Sequence, residues 1–485
     1  MMSGLKRIVI FALAGLAGGC AVGPTYQEPQ MELPLAFSEP GSTTRPSEEL
    51  QTWWTVFDDD VLNGLIHDAL EANLDLVVAR ARVLEARKLR GASASGLFPD
   101  LRFGTSYTRT RTSGRVVTGG GGFNPDRESG FYDVGFDSGW EIDLFGGVRR
   151  GIEAADAEVE AAVHSQRDVQ VALLSEVARN YIELRGAQRE AEITRQNLAT
   201  QQDTLELTRK RFGAGIASDL DVARSEAQVA TTSSELPLQE TRQRQAIYRL
   251  SVLLGQPPLA LMNRLSDPGP IPVGHPDVPL GLPSELLRRR ADVRRAERQL
   301  AGATARVGVA VAELFPKISL TGGIGRQAPV LSQLGGGLAQ FWTIGPQFQW
   351  NIFSAGRIQS RIEAADAVTE QALALYRQSV LEALEDVESA LVAHARERDR
   401  LASLQQAVEA NRRAVGLSKQ LYDRGVVDFL NVLEAQRSLF ASEALLVRSQ
   451  ISVSTSLVAL YKALGGGWEV PTHPEHADSG PAAVQ

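Results

Sequence analysis

Only one cysteine stands among 485 residues. An intramolecular disulfide, a cysteine-based zinc site and a thiol relay are therefore excluded. Histidine is scarce too: of His67, His164, His275, His394, His473 and His476, no two sit at metal-ligand spacing on a helix, and the close pair His473 and His476 lies in a proline-rich tail. The signatures G-x-x-x-x-G-K-[ST], G-x-S-x-G and H-E-x-x-H are missing. Positive charge is not in excess, since 50 Lys and Arg against 58 Asp and Glu leave −8, which argues against general nucleic-acid binding. Proline is absent from Asp126 to Leu236 and from Gln347 to Val470, although its usual frequency is about one in twenty. Glycine is absent from Ile152 to Arg185 and from Arg357 to Val415.

What fills these gaps is Ala, Glu, Gln, Arg and Leu, the strong helix formers. The second gap carries a seven-residue seam of Leu373, Val380, Val387, His394, Leu401, Val408, Val415 and Tyr422. Subtracting 210 gives Val163, Gln170, Val177, Leu184, Ala191, Leu198, Leu205 and Phe212, the same seam in register. Sustained heptads predict supercoiled helix packing, and His394, standing where the other copy has Leu184, reads as a packed residue. The repeat extends further. IEAADA occurs at 152–157 and 362–367, Trp140 matches Trp350, Gly146 matches Gly356, and Gly215 matches Gly425. The chain is a tandem duplication. Each long helix is about 65 residues, roughly 100 Å at 1.5 Å per residue.

Ahead of each long helix lie alternating segments. Leu101, Phe103 and Tyr107 alternate with Arg102, Gly104 and Ser106; Tyr132, Val134, Phe136, Trp140, Ile142 and Leu144 alternate with polar residues. Ile318, Leu320 and Ile324 do so in the second copy, followed by Trp342, Ile344, Phe348, Trp350 and Ile352. A period of two predicts strands. Roughly ten residues with one apolar, aromatic face suit a membrane barrel with lipid outside and water inside. Four strands cannot close one, and an open edge in lipid is not tolerated. Two copies would give eight strands and three would give twelve; helices continuing the same ring favour three.

The N-terminus reads as an address. Lys6 and Arg7 precede the apolar run Ile8–Ala17, then Gly18, Gly19 and Cys20, the layout of a secretory signal. It resembles a bacterial lipoprotein signal, with Leu16 four residues before the cysteine. That resemblance implies a covalent lipid at Cys20, and Ala21 after it implies passage to the outer membrane. The remaining chain divides into a lipid-anchored N-terminal segment (20–60), a first repeat (61–254), a linker (255–283), a second repeat (284–464) and a tail (465–485) read as disordered over Glu469–Gln485. The first repeat holds a rising helix from Val61 to Ser95, a β-hairpin at about 99–145, a long helix 148–212 and a return helix 219–254. The second holds a rising helix Ser284–Leu314, a β-hairpin at about 317–353, a long helix 357–422 and a return helix 428–464. The segment before Val61, the linker and the chain after Gly465 are expected to meet in an equatorial domain. Gly119–Gly122 and Gly335–Gly337 sit in strand-to-strand loops, without the strand-to-helix context of a phosphate site. Arg288, Arg289 and Arg290 open a helix, where packing and ion pairing are expected.

These stretches resemble the outer membrane efflux proteins of the TolC-like family, the lipoprotein exit ducts of RND drug pumps. The similar residues are Trp53 and Trp54 with Phe57, Asp58 and Asp59; Phe98-Pro99; Trp140 to Gly146 (WEIDLFG); Leu286 to Arg290 with Asp292 and Arg294; Leu314 to Pro316; Leu433 to Arg437 (LEAQR); and Lys462 to Trp468 (KALGGGW). At Ala291 the family usually has proline. The resemblance implies an α+β membrane protein, a homotrimer whose twelve-stranded outer-membrane β-barrel continues as a twelve-helix periplasmic α-barrel. It implies no enzyme activity and no cofactor beyond the lipid. The partners implied are a periplasmic adaptor, an inner-membrane RND pump and outer-membrane lipid. The tunnel tips that would touch the adaptor are Phe212, Gly213, Gly215 and Ile216 in one turn and Tyr422, Gly425 and Val426 in the other.

For the gate, Asp428, Asn431 and Glu434 are three apart and share a helix face, with Leu430 and Leu433 directed into the seam. The family's constricting carboxylates fall at Asn431 and Glu434, so Glu434 is the acid of that pair. Asp219 and Asp221, with Arg224 as partner to an acid, stand at the matching turn of the first copy. Arg424 is placed to hold a closed state through a charge-assisted hydrogen bond. The competing view is that these acids cap helix N-termini. Two alternatives remain: a type I secretion duct for proteins, with the same fold, and a structural periplasmic coiled-coil lipoprotein, which does not account for the four strands.

Overall fold

The computed structural model describes residues 21–38, 50–111, 113, 128–274 and 283–469. The signal segment 1–19, Cys20, Gly119–Gly122 and the tail from 470 lie outside the described residues. The helices are α1 (Asp60–Ala72), α2 (Leu74–Ser95), α3 (Gly147–Gly213), α4 (Asp219–Leu253), α5 (Met262–Leu265), α6 (Pro283–Arg289), α7 (Ala291–Ala312), α8 (Arg357–Asp423) and α9 (Phe429–Ala463). The strands are β1 (Asp100–Arg111), β2 (Glu128–Ile142), β3 (Lys317–Ala328) and β4 (Gln340–Gln349).

Four helix ends close in the same way, which shows why the glycines are where they are. Gly215, Gly255, Gly425 and Gly465 have φ of +78°, +67°, +74° and +70°. After each, the next N–H donates back five residues: Ile216 to the Arg211 carbonyl at 2.9 Å, Gln256 to Ser251 at 2.9 Å, Val426 to Leu421 at 2.9 Å and Gly466 to Tyr461 at 3.1 Å. This is the Schellman arrangement, which needs a left-handed residue.

The rising helices, read as continuous from sequence, are each broken once. At Asn73 the backbone leaves the helix (ψ 128°). The Asn73 side chain accepts from Leu76 N–H (3.1 Å) and donates to the Leu253 carbonyl (2.8 Å). The second break falls at Arg290, whose guanidinium holds Asp292 (2.6 Å), Asp386 (2.9 Å) and the Ala463 carbonyl (3.2 Å). Asp292 is thereby held below the ordinary carboxylate range despite burial, which pushes the other way.

The chain forms two compact units. One (described residues within 21–29, 83–162 and 296–376) contains the sheet, antiparallel in the order β1-β2-β3-β4. Its register places Phe103 opposite Phe136, Phe136 opposite Ile324, and Ile324 opposite Trp342, so the apolar sides of all four strands share one face. The other face carries Arg102, Ser106, Asp133, Asp137 and Gln327, with Phe131 and Phe341 as its large apolar exceptions. The two copies repeat a detail: Trp140 Nε1 donates to the Leu97 carbonyl (2.9 Å) and Trp350 Nε1 to Leu314 (3.0 Å). The segment after Cys20 is fastened to this unit. Val22 N–H donates to the Phe145 carbonyl (3.1 Å), and buried Arg150 donates to the carbonyls of Val22 (3.1 Å) and Gly23 (3.3 Å).

The second unit (described residues within 30–82, 163–295 and 377–469) holds the main core. Leu50, Trp53 and Phe57 meet Leu174, Val177, Tyr181, Leu250, Leu265, Leu457 and Tyr461 there. Here the segment before Val61, the linker and the Gly465–Gly467 turn pack on one another; Gln170 Nε2 donates to the Gly467 carbonyl at 2.9 Å. Helix α9 is long and apolar enough to cross a bilayer by composition, yet Val453, Leu457, Val458, Leu460 and Tyr461 are buried in the protein.

His394 is buried in this unit, its Nδ1 3.1 Å from Ser456 Oγ and its Nε2 without a hydrogen-bond partner among the described residues. Burial, with Arg398 second, pushes its pKa below 6.5. The unfolded chain then binds the proton more readily, so stability falls as pH drops through 6.5. Comparing His394→Leu with wild type in melts at pH 8 and pH 5 should show a smaller acid loss for the variant. Equal losses would remove His394 as the cause.

Candidate functional site at the paired helix tips

The α3–α4 and α8–α9 turns are joined by one side chain. Arg211, in the last turn of α3, lies over the Tyr422 ring with its guanidinium carbon 4.2 Å from the centroid. It also donates to the Tyr422 carbonyl (3.4 Å) and to Asp423 Oδ1 (3.3 Å). Tyr422 leans on Phe429 at 5.6 Å. A cation on the last carbonyls of α8 also meets the negative end of that helix. One clasp thus combines a charge-assisted hydrogen bond, a ring contact and a dipole contact.

Arg424 is not this clasp. Its backbone N–H donates to Gln420 (3.3 Å), but its exposed side chain makes no ion pair among the described residues. It follows the helix end with its side chain exposed, whereas Arg211 occupies the position matching Leu421. That substitution of Arg for Leu between copies was the signal in the sequence.

The acids divide. Asp221 closes a capping box with Ser218: its carboxylate accepts from Ser218 N–H (3.2 Å) and Oγ–H (2.7 Å), while Ser218 Oγ accepts from Asp221 N–H. Its partner is therefore Ser218 and not Arg224, and Asp219 stands in the same first turn. Asp428 is the residue before α9, with no side-chain cap bond, and Asn431 Nδ2 reaches its carbonyl at 3.4 Å. Asp428, Asn431 and Glu434 are all exposed. Glu434 is 3.8 Å from Arg437, both side chains about 60 % exposed, a pair too solvated to hold either in place. Leu433 is buried, but Leu430 is 43 % exposed, and the seam is filled by Phe429, Val432, Leu433 and Gln436. Gln436 Nε2 donates to Thr204 Oγ1 (3.1 Å), a second tie to α3.

Of the tip residues, Phe212, Ile216 and Val426 are exposed, as are Gly213, Gly215 and Gly425. Tyr422 is half-buried beneath Arg211 and less available than its position in the turn suggests. Among the described residues, no group of three or more His, Cys, Asp or Glu is placed to hold a metal ion.

The family description "Outer membrane efflux protein" matches residues 65–256 and 282–466, once for each copy of the repeat. The chain belongs to the outer membrane efflux protein family. It is 33 % identical over 471 residues to the solvent efflux pump outer membrane protein SrpC of Pseudomonas putida, covering 96 % of this chain and 99 % of that protein. It is 32 % identical over 454 residues to Nodulation protein T of Rhizobium leguminosarum bv. trifolii, covering 93 % and 96 %. Among solved structures, the outer-membrane channel OprN superposes with a TM-score of 0.85 at 38 % identity, covering 93 % of this chain and all of that one. The sheet and the paired helices of this efflux-family chain are thus the TolC-like channel architecture, and the tandem duplication is part of it.

Proposed function

We propose that this chain is the outer-membrane exit duct of a tripartite efflux pump. It would pass small molecules from an inner-membrane RND transporter, through a periplasmic adaptor, to the outside. The observation that carries this reading is the sheet. Its four strands have one apolar face and two unpaired edges, β1 and β4. Such edges are costly in lipid, so further copies must pair with them, and three copies bring twelve strands. The duct performs no chemistry; its work is a water-filled path and a gate, with energy supplied by the pump. The named efflux relative favours export of small molecules over the protein-secretion alternative. The exposed apolar tips Phe212, Ile216, Leu220, Val426 and Leu430 are the surface offered to the adaptor.

Two measurements test the assembly. Crosslinking or native mass spectrometry of the purified protein is expected to give three chains, and a persistent folded monomer with full strand content rules the barrel out. Planar-bilayer recordings are expected to show a pore, which a structural coiled-coil lipoprotein would not make.

The anchor is part of the same proposal. Arg150 and Phe145 hold Val22 and Gly23, two and three residues after Cys20 in the sequence. Several acyl chains anchor stably where one does not. Cys20→Ser is expected to remove the lipid mass and block lipoprotein-specific cleavage, with folding retained because the barrel itself holds the membrane. An unmodified Cys20 in the wild-type mature protein, seen by mass spectrometry, refutes the anchor.

A further inference from the structure

The apolar face of the sheet carries charge at one end alone. From the strand register, its residues are the odd positions of β1 and the even positions of β2, β3 and β4. Only four of these within the strands are charged: Arg109, Arg111, Glu128 and Arg326. All four lie toward the hairpin loops, away from the helices. At the helix end the same face presents Leu101, Trp140, Ile142, Ile318 and Phe348, without a charge. The opposite face has the reverse distribution, with Asp100, Arg102, Asp137, Glu141 and Lys317 toward the helices and only Asp133 nearer the loops.

The balance on the lipid-facing side is three cations to one anion. Glu128 is shared, 2.7 Å from Arg109 and 3.6 Å from Arg111, and both arginines remain about 70 % exposed. Arg326 is held to the β3–β4 loop by a bond from Nη1 to the Leu334 carbonyl (3.0 Å), which leaves its charge unneutralised. Just inside this collar, the Tyr107 and Tyr132 rings lie 4.4 Å apart, tilted by 31°, an amphipathic pair of the sort that marks a membrane interface. From Leu101 to Arg109 is eight residues, about 26 Å along the strand and about 20 Å along the membrane normal after barrel tilt, close to a typical apolar band of ~25 Å. The arginines therefore stand at headgroup depth.

We infer that Arg109, Arg111 and Arg326 form a docking collar for the phosphates of the outer-leaflet glycolipid. This rests on the exit-duct reading, which sends the helices into the periplasm and the hairpin loops outward. Arginine is suited to the task because its planar fork matches phosphate bidentately. The glycolipid of a Gram-negative outer leaflet bears phosphates on its sugar base, at the depth where the collar stands, and the helix end of this face, at the inner leaflet, offers no matching cations.

The test uses the full-length protein in neutral detergent, titrated with bisphosphorylated lipid A, its dephosphorylated form and phosphatidylglycerol, with binding read by native mass spectrometry. Wild type is expected to hold bisphosphorylated lipid A at least about tenfold more tightly than either of the others. The variant R109Q/R111Q/R326Q should lose that preference, whereas Glu128→Gln, which frees two arginines, should strengthen binding. Equal affinity for the phosphorylated and dephosphorylated lipids, or for phosphatidylglycerol, overturns the collar. So does a triple variant that still prefers lipid A. In neutral phosphatidylcholine bilayers all variants should keep wild-type conductance; absence of any wild-type pore would instead strike at the duct reading.

Discussion

Replacing Trp53 by alanine is expected to destabilise the protein by about 3–5 kcal/mol, the range for deleting a large buried aromatic ring. Trp53 is fully buried, stacked on Tyr461 at 5.4 Å and 15°, with Trp54 and Phe57 edge-on at 5.9 and 6.5 Å. The backbone of Gly466 and Gly467 lies against the same ring, each with room for no more than a hydrogen: an added Cβ would come within 3.2 Å of Trp53 atoms. The cavity would therefore open where three separate chain segments meet. Trp53→Phe serves as the control. The Trp53 Nε1 has no hydrogen-bond partner among the described residues, so the smaller ring forfeits volume but no bond seen there, and its loss should be much smaller. Thermal melts of the three proteins in one detergent measure the difference. An alanine variant that melts with wild type would show that this ring does not organise the core.

The seams were readable because heptad spacing is a local property: Val177, Leu184, Val380 and Val387 are all buried. The strands were readable for the same reason, their register following from a period of two. What was not readable depends on partners far away in sequence. The break at Asn73 is fixed by the Leu253 carbonyl, 180 residues on. The break at Arg290 needs Asp386 and the Ala463 carbonyl. At the tip, the difference is one of helix phase. The spacing places Leu430 with Leu433 in the seam, but Phe429, Val432, Leu433 and Gln436 form the buried stripe and leave Leu430 outside, and Asp428, expected as the first helical residue, precedes α9 in extended conformation. The clasp by Arg211 is not legible in the sequence, because a lone arginine before a glycine turn looks like ordinary helix-end chemistry. Only its mismatch with Leu421 of the other copy set it apart.

Glu434→Ala is expected to weaken cation selectivity and block by multivalent cations. Glu434 is exposed on α9 and, among the described residues, has only the loose Arg437 contact at 3.8 Å, which leaves its carboxylate available to a lumen. In a trimer three copies would surround the axis. For an ion about 8 Å from each, Coulomb's law in bulk water gives roughly 0.5 kcal/mol per carboxylate, about 1.5 kcal/mol in all and near tenfold in cation occupancy. Salt screening at that distance reduces this to a few-fold. Asn431, uncharged at the neighbouring position, cannot replace the lost ring. Arg211→Ala should act differently, on the frequency or size of openings and not on selectivity, because it releases Tyr422 and Asp423 while leaving the carboxylates in place. Single-channel recordings in asymmetric salt separate the two effects. A Glu434→Ala channel with wild-type reversal potential and wild-type multivalent block would remove Glu434 from the constriction, and an Arg211→Ala channel with unchanged openings would show that the clasp does not bear on the gate.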